Sequence, residues 1–156
     1  ALALFLTFFI MAPTFNKIYD EVGIPYMNGD IKTPLALEQA SKSIKSFMVI
    51  NTRESDISMF AEIAGEKEFY SKEDIPFSIA LPAFITSELK TAFQIGFLLF
   101  LPFLVIDMVV ASVLMSLGMM MLSPMLVALP FKILLFVLVD GWSMTVGSLV
   151  STYVTQ

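Results

Sequence analysis

The fold of this chain is decided by residues 91–131, which read TAFQIGFLLFLPFLVIDMVVASVLMSLGMMMLSPMLVALPF. The stretch contains 41 residues and a single formal charge, Asp107. One membrane-crossing helix needs about 20 apolar residues, so this stretch has twice that length. Near its centre, residues 118–124 read GMMMLSP, and a Gly, three flexible methionines and a Pro predict a soft apolar turn at the apex of a helical hairpin.

Composition limits the classes of function that are open to the chain. Hydrophobic residues make up 57% of it and the mean hydropathy is +0.83, against about 45–50% apolar residues in soluble domains. Cys and His are absent from the sequence, which excludes disulfides, Cys or His metal sites and a Ser-His-Asp triad. The net charge of −5 argues against a nucleic-acid partner, which requires a basic face. We expect a membrane protein that is not an enzyme and has no metal or cofactor.

The distribution of charge predicts three segments. Residues 16–78 hold 18 of the 23 charged residues, 7 basic and 11 acidic, and form a polar module that suits the non-cytoplasmic side of a membrane. Residues 79–156 are predicted to be the apolar helical hairpin region. Residues 1–15 have no initiator Met and no basic region. We expect them to be the end of a truncated apolar helix, too short to span alone, which the chain leaves at Pro13 and Asn16.

Helix-breaking residues and hydrophobic periodicity predict a loop and two amphipathic helices inside the polar module. Gly and Pro residues make 21–34 an irregular loop. Residues 35–50 place apolar side chains on one helical face, and a second amphipathic piece around Phe60 ends at Gly65. Phe47 and Phe60 either pack inside this module or form a subunit interface.

Depth along the hairpin ranks the possible charge pairs. With the apex near Met121, Asp107 lies 14 residues before it and Lys132 lies 11 after it, so their depths differ by roughly 4–5 Å. Asp107 and Lys132 are therefore expected to pair, across the hairpin or between subunits. Glu88 reaches Lys132 only if the helix folds back at Pro102 or if Glu88 comes from another subunit. These charges either fix register and assembly or, at Asp107, carry protons.

Two further features predict interruptions of the apolar helices. Pro82 and Pro102 each remove a backbone donor and favour a kink or a break. The sequence Asp140-Gly141-Trp142 interrupts the return arm of the hairpin, with Trp142 suited to a membrane interface. The expected fold class is therefore all-α, with membrane-associated helical hairpins and a small polar module of amphipathic helices.

Two other classes of function can be formulated from the same acids. An ion channel or small transporter subunit would use the intramembrane Asp107. An intramembrane aspartyl hydrolase would use Asp107 and Asp140 as a carboxylate pair. Their depths differ by about 7–8 Å, and neither lies in a recognisable protease motif, so the channel or transporter is the stronger alternative.

Several motifs resemble the FliP family of flagellar type III export-gate proteins, and the resemblance covers nearly the whole chain. The motifs are ALFLTFF at 3–9, LPAFITSELKTAFQIGF at 81–97, LPFLVID at 101–107, GMMM at 118–121, LPFK at 129–132 and VDGW at 139–142.

The resemblance implies an assembly and a role. About five copies, together with FliQ-like and FliR-like membrane subunits, are expected to form an oligomeric helical cone through which unfolded flagellar proteins pass. The implied location is the bacterial inner membrane at the flagellar basal body, with the polar module facing the periplasm. Met side chains are flexible and apolar, so a ring of such loops would make a dry constriction that repacks around diverse chains.

The resemblance also assigns roles to individual residues. The implied pore gasket is Met119, Met120 and Met121, the hairpin apex is Gly118 and Pro124, the buried inter-subunit charges are Glu88, Asp107 and Lys132, and the polar-module contacts between subunits are Phe47 and Phe60.

Overall fold

The computed structural model describes residues 1–66, 69 and 71–153. Parts of two predicted segments, residues 67, 68 and 70 of the polar module and 154–156 of the hairpin region, lie outside the described residues. The helices are α1 (Leu2–Ile18), a π-helical turn (Tyr19–Gly23), α2 (Ile24–Met27), α3 (Thr33–Ile50), α4 (Glu54–Ile63), α5 (Phe77–Ser116), α6 (Pro124–Leu138) and α7 (Gly141–Val150). Over these described ranges no β-strand occurs, so the all-α prediction is confirmed.

The chain forms two compact units. The first consists of Ala1–Lys90 with Thr152–Gln156, and the second of Thr91–Ser151. Their boundary falls inside α5 and not at the predicted start of the apolar region at residue 79. The reason is that the first turns of α5 supply Ile79 and Ala80 to the core of the first unit. Apolar sequence therefore continues across a structural boundary.

The core of the first unit is made by α3, α4 and the beginning of α5. Six buried residues form it, and five partly buried aromatic or aliphatic side chains pack around them. The buried residues are Met48, Val49, Ala61, Ile75, Ile79 and Ala80, and the surrounding ones are Phe47, Ile57, Phe60, Phe69 and Phe84. The two amphipathic helices predicted around 35–50 and Phe60 are confirmed as α3 and α4.

The N-terminal helical run is longer than the sequence predicts. Pro13 lies inside α1 without ending it, and the π-helical turn and α2 occupy the first half of the predicted loop at 21–34. Pro25 is in the first turn of α2, where a missing N–H costs no hydrogen bond. The expectation of a segment too short to span is wrong, because the run Leu2–Met27 is 26 residues long and apolar enough to cross a membrane.

Helix α5 is continuous over 40 residues, including Pro82 and Pro102. The prediction of a break at these prolines is wrong, since each proline removes one ladder bond and the flanking bonds keep the helix together. At 1.5 Å per residue, such a helix is about 60 Å long. The helix does not fold back at Pro102, so the condition that the sequence set for a Glu88–Lys132 contact within one chain is not met.

The described residues contain two helical runs that are long and apolar enough to cross a membrane, Leu2–Met27 and Phe77–Ser116. Helices α6 and α7 form a third candidate if they are counted as one span, although they are bent by 62° at their junction. The predicted interruption at Asp140-Gly141 is therefore confirmed, with α6 ending at Leu138 and α7 beginning at Gly141.

Candidate functional site

The methionine loop, residues 118–124, starts with a hydrogen-bonded cap on α5. Gly118 has a φ of +70°, its N–H donates to the Met115 carbonyl at 3.1 Å, and the Met119 N–H donates to the Leu114 carbonyl at 2.9 Å. These two bonds are the Schellman pattern, in which glycine adopts the left-handed conformation at low cost. Pro124 then begins α6 in the first turn. The loop therefore has defined ends, and its sequence explains both of them.

The three methionines of this loop project away from the rest of the second unit. Met119, Met120 and Met121 are 46%, 81% and 101% exposed, respectively. Full exposure of a large apolar side chain is unfavourable in water, so several of them at one hairpin apex indicate contact with another apolar surface. The structure thus brings the three predicted residues together at the apex between α5 and α6.

Two contacts below the loop set the register of the α5–α6 hairpin. The Lys132 Nζ lies 2.7 Å from the Asp107 Oδ2, and the rings of Phe103 and Phe136 lie 6.4 Å apart. The two contacts are separated by four residues on each helix, about one helical turn. The hairpin is therefore symmetric about the peptide between Met119 and the next residue, slightly before the apex assumed from the sequence.

The Asp107–Lys132 pair forms across the hairpin of one chain, which was the first of the two arrangements predicted from the sequence. The side chains are 33% and 22% exposed, and the Asp107 Oδ1 atom is buried with no hydrogen-bond partner among the described residues. An apolar cleft of about 480 Å³ lies between α5 and α6 beside Ile106 and is also lined by Val127 and Phe131. Lys132 thus supplies a charged partner to one carboxylate oxygen, while the other oxygen is buried without a hydrogen bond.

Glu88 has a different partner from those considered in the sequence. Its carboxylate accepts a hydrogen bond from the Tyr153 hydroxyl. The pKa of Tyr153 is raised, first by burial and then by the hydrogen bond and charge of Glu88. The neighbouring Ser87 is buried, and its hydroxyl accepts a hydrogen bond from the Arg53 N–H at 3.2 Å. Tyr153 is not among the residues predicted from the sequence, because nothing in a linear pattern links residues 88 and 153.

Phe47 and Phe60 lie in the first unit and both pack against its core. Phe47 also contacts the Phe84 ring edge-on, with centroids 6.1 Å apart. Within one chain these aromatic side chains therefore follow the first of the two interpretations, packing inside the module. A role between subunits stays a prediction.

The junction of α6 and α7 is closely packed around Phe136, a residue that the sequence analysis also missed. Asp140 adopts the left-handed conformation with φ 51° and ψ 55°. The Trp142 ring meets Phe136 edge-on at 5.3 Å, and a Cβ added to Gly141 would lie 2.3 Å from the Phe136 ring. In the sequence, the only sign of this contact was that Phe136 is followed five residues later by Gly141, and this spacing does not specify that the two touch.

Over the described ranges, no group of three or more carboxylate, Cys or His side chains is arranged to hold a metal ion. Asp107 is paired with Lys132. The two acids of the hydrolase alternative have no observed hydrogen bond that joins them. Asp107 and Lys132 thus form an ion pair in a hairpin whose apex carries exposed methionines, and the choice between a structural and a proton-carrying role for Asp107 stays a prediction.

These features define a class: helical membrane proteins in which an apolar hairpin presents a flexible apex. The FliP family model matches residues 1–149, and the chain belongs to the FliP family. It is 61% identical over 153 residues to the flagellar biosynthetic protein FliP of Cereibacter sphaeroides, an alignment that covers 98% of this chain and 51% of that protein.

Two other relatives have the same name. Identity to the flagellar biosynthetic protein FliP of Bacillus subtilis (strain 168) is 57%, with 97% of this chain and 69% of that protein covered. For the FliP protein of Pectobacterium carotovorum subsp. carotovorum it is 51%, with 97% and 59% covered. The chain thus spans between about half and just over two thirds of the length of these relatives.

Proposed function

We propose that this chain is a subunit of the export-gate pore of the flagellar type III secretion system, and that its methionine loop seals the pore. The observation that carries the proposal is the exposure of three consecutive methionines at the apex of a hairpin with a fixed register. Membership of the FliP family supports the flagellar context.

The chemistry of methionine suits a gasket. Its unbranched thioether side chain has three rotatable bonds, so it fills irregular gaps and repacks around different surfaces. When several copies bring their loops to one axis, the apolar constriction excludes water and therefore ions. An unfolded protein chain passing through it would displace side chains that are not held by neighbouring packing, since Met120 and Met121 are the most exposed of the three.

The second unit supports assembly with other membrane subunits. Its helices expose most of their large apolar side chains, which require lipid or protein contact. We propose about five copies around the axis, with FliQ-like and FliR-like subunits completing a helical cone. The proposed location is the bacterial inner membrane, and the charged first unit, which an acidic composition suits to the non-cytoplasmic side, faces the periplasm.

The test replaces Met119, Met120 and Met121 together by Ala in the assembled gate. We expect an increased ion leak across the membrane, because shorter side chains leave a wider and wetter constriction. The matched control is Met125→Ala, which changes an exposed methionine just outside the three. Ion conductance of membranes and secretion of flagellar proteins are measured in parallel. Unchanged leak and unchanged export in the triple variant would contradict the proposal.

A second candidate function rests on the unpartnered Asp107 Oδ1. A buried carboxylate oxygen without a hydrogen bond is typical of an ion or proton pathway, so an ion channel or small transporter subunit is the alternative. The native mass of the detergent-extracted complex distinguishes the two. A homomer that conducts ions by itself supports the channel, whereas a hetero-oligomer of several copies with smaller apolar partners supports the export gate.

A further inference from the structure

The methionine loop contains a turn whose two central residues are methionines. The Leu122 N–H donates to the Met119 carbonyl at 3.3 Å and closes this turn. Met120 and Met121 lie between these two residues, and they are the two most exposed methionines among the described residues. The bond that closes the turn joins backbone atoms only, so a chemical change at either sulfur leaves it intact.

The sequence around these two sulfurs is apolar. Asp107 and Lys132 are the nearest charged residues along the chain, and the 24 residues between them carry no charge. Within that range, the hydroxyls of Ser112 and Ser116 already donate to carbonyls of α5. A polar atom added at the turn would therefore change the chemistry of the apex far more than the same atom added to a charged surface.

Methionine acquires such a polar atom by reaction with a peroxide. A lone pair of the thioether sulfur attacks one oxygen of hydrogen peroxide, the O–O bond breaks and an S–O bond forms. The proton of the transferred oxygen passes to the departing hydroxide, which leaves as water. The sulfur is thus oxidised by two electrons and the peroxide is reduced. The product, methionine sulfoxide, is polar, and two reductases, one for each epimer, return it to methionine.

We propose that Met120 and Met121 form a modification site for peroxides, and that their oxidation to sulfoxide opens the proposed seal of the methionine loop. The effect on the seal rests on the proposed function, in which an apolar constriction excludes water and ions. A sulfoxide oxygen away from water needs a hydrogen-bond donor, and the apolar apex offers few. Water entering the constriction supplies the donor, so the oxidised constriction is wet and conducts ions.

The rest of the chain is expected to keep its structure under the same treatment. The contacts that set the hairpin register, Asp107 with Lys132 and Phe103 with Phe136, contain no sulfur. Met48 lies in the core of the first unit and is 5% exposed, so a peroxide reaches its sulfur only when that core opens. The expected product is therefore an oxidised loop on an otherwise native chain, and Met48 is the internal standard.

The first measurement identifies the modified residues. Membrane vesicles that contain the assembled gate are treated with hydrogen peroxide for increasing times, and catalase stops the reaction. Mass spectrometry of proteolytic peptides then gives the sulfoxide content of each methionine. We expect Met120 and Met121 to be oxidised at least about tenfold faster than Met48, because a peroxide must reach the sulfur in order to react. Equal rates at the three positions would overturn the proposal.

The ion leak of the same vesicles tests the consequence, with vesicles that lack the chain as background. The unmodified gate is compared with the double variant Met120→Leu/Met121→Leu and with Met125→Leu, which changes an exposed methionine outside the turn. Each is measured against its own untreated sample. Leu is apolar and of similar volume but carries no sulfur. We expect peroxide to raise the leak about tenfold in the unmodified gate and in Met125→Leu, and not in the double variant.

A repair step makes the assignment independent of the variants. Treatment of the oxidised vesicles with both methionine sulfoxide reductases should return the leak of the unmodified gate to its value before peroxide. A leak that the reductases do not reverse, although they remove the sulfoxides, would overturn the proposal. A rise that persists in the double variant would overturn it as well, since the responsible group would then lie elsewhere.

Failure of this inference differs from failure of the proposed function. If replacement of the three methionines by Ala raises the leak and peroxide does not, the seal is supported and only the modification site is overturned. If Ala replacement and peroxide both leave leak and export unchanged, although Met120 and Met121 carry sulfoxide, the seal and its response to peroxide are both overturned.

Discussion

The two units of this protein bury their apolar side chains to opposite extents. The first unit contains most of the charged residues of the chain and nonetheless has a core in which Ile79, Ala80 and Val49 are at most 4% exposed. The second unit is almost uncharged, yet Leu114 and Ala128 are the buried apolar side chains among its described residues. An apolar composition therefore does not by itself give a unit a buried core.

The difference teaches how each unit is stabilised. A helix with one apolar face buries that face against its neighbours, as α3 and α4 do. A helix that is apolar on all sides leaves most of its surface to lipid or to other subunits. The stability of the first unit is therefore expected to depend on its internal contacts. The stability of the second unit is expected to depend on its surroundings, on a few directional contacts and on the conformation of its turns.

The largest effect is expected when a buried side chain of the first unit is shortened and the loss of stability is compared with that for an exposed side chain of the second unit. Ile79→Ala removes a buried side chain of the first unit and should lower the free energy of unfolding by about 3 kcal/mol. Leu138→Ala, at an exposed position of the second unit, should change it by less than about 0.5 kcal/mol in detergent. Denaturant unfolding followed by far-ultraviolet circular dichroism measures both losses, since the described residues of both units are largely helical. Equal losses in the two variants would remove the distinction.

The next effect concerns the closely packed junction of α6 and α7 in the second unit. Gly141→Ala forces a Cβ to within 2.3 Å of the Phe136 ring and should destabilise the α6–α7 junction by roughly 1–3 kcal/mol. Gly147→Ala in the same helix has no atom within 4 Å of the new Cβ and should be neutral or slightly stabilising. The fluorescence of Trp142, the single Trp of the chain, reports on this unit. A tolerated Gly141→Ala would show that the junction repacks freely.

A third prediction tests the directional contact of the hairpin. Lys132→Ala leaves the Asp107 carboxylate unpaired and should cost about 2 kcal/mol, between the values for exposed and fully buried pairs. Adding Asp107→Leu should recover most of that loss, because it removes the unpaired carboxylate, one oxygen of which is buried. A double-mutant cycle in denaturant provides the coupling energy. Strictly additive losses would indicate that the pair does not determine the hairpin register.

The smallest effect is expected in the first unit at high pH. The pKa of Tyr153 is raised in the folded state. Its contribution to the free energy of unfolding is therefore full while the folded and the unfolded chain both keep the phenol proton. This contribution falls once the pH exceeds about 10, the pKa of tyrosine in the unfolded chain. Tyr153→Phe should cost about 1 kcal/mol at neutral pH and should weaken this alkaline decline. Thermal unfolding over a pH series measures both. An unaltered decline in the variant would assign it to other groups.

Much of the local structure was predictable from sequence, because it depends on neighbouring residues. Gly65 was predicted to end a helix and Gly118 to lie at the hairpin apex, and both adopt the left-handed conformation that suits a helix end. The periodicity of 35–50 predicted α3. Counting along a hairpin was sufficient to favour Asp107 with Lys132. The same local rules were wrong at Pro13, where packing and the remaining hydrogen bonds keep the helix intact.

By itself the sequence determined the helical class, the apolar hairpin with its methionine apex and the segregation of charge, since each follows from composition and from spacings of a few residues. Tertiary structure alone decided that α5 is shared by two units, that Phe136 packs on Gly141 and that Tyr153 contacts Glu88. Such contacts join residues that are distant in sequence or depend on side-chain direction. They are selected by the packing of whole helices, which no local pattern encodes.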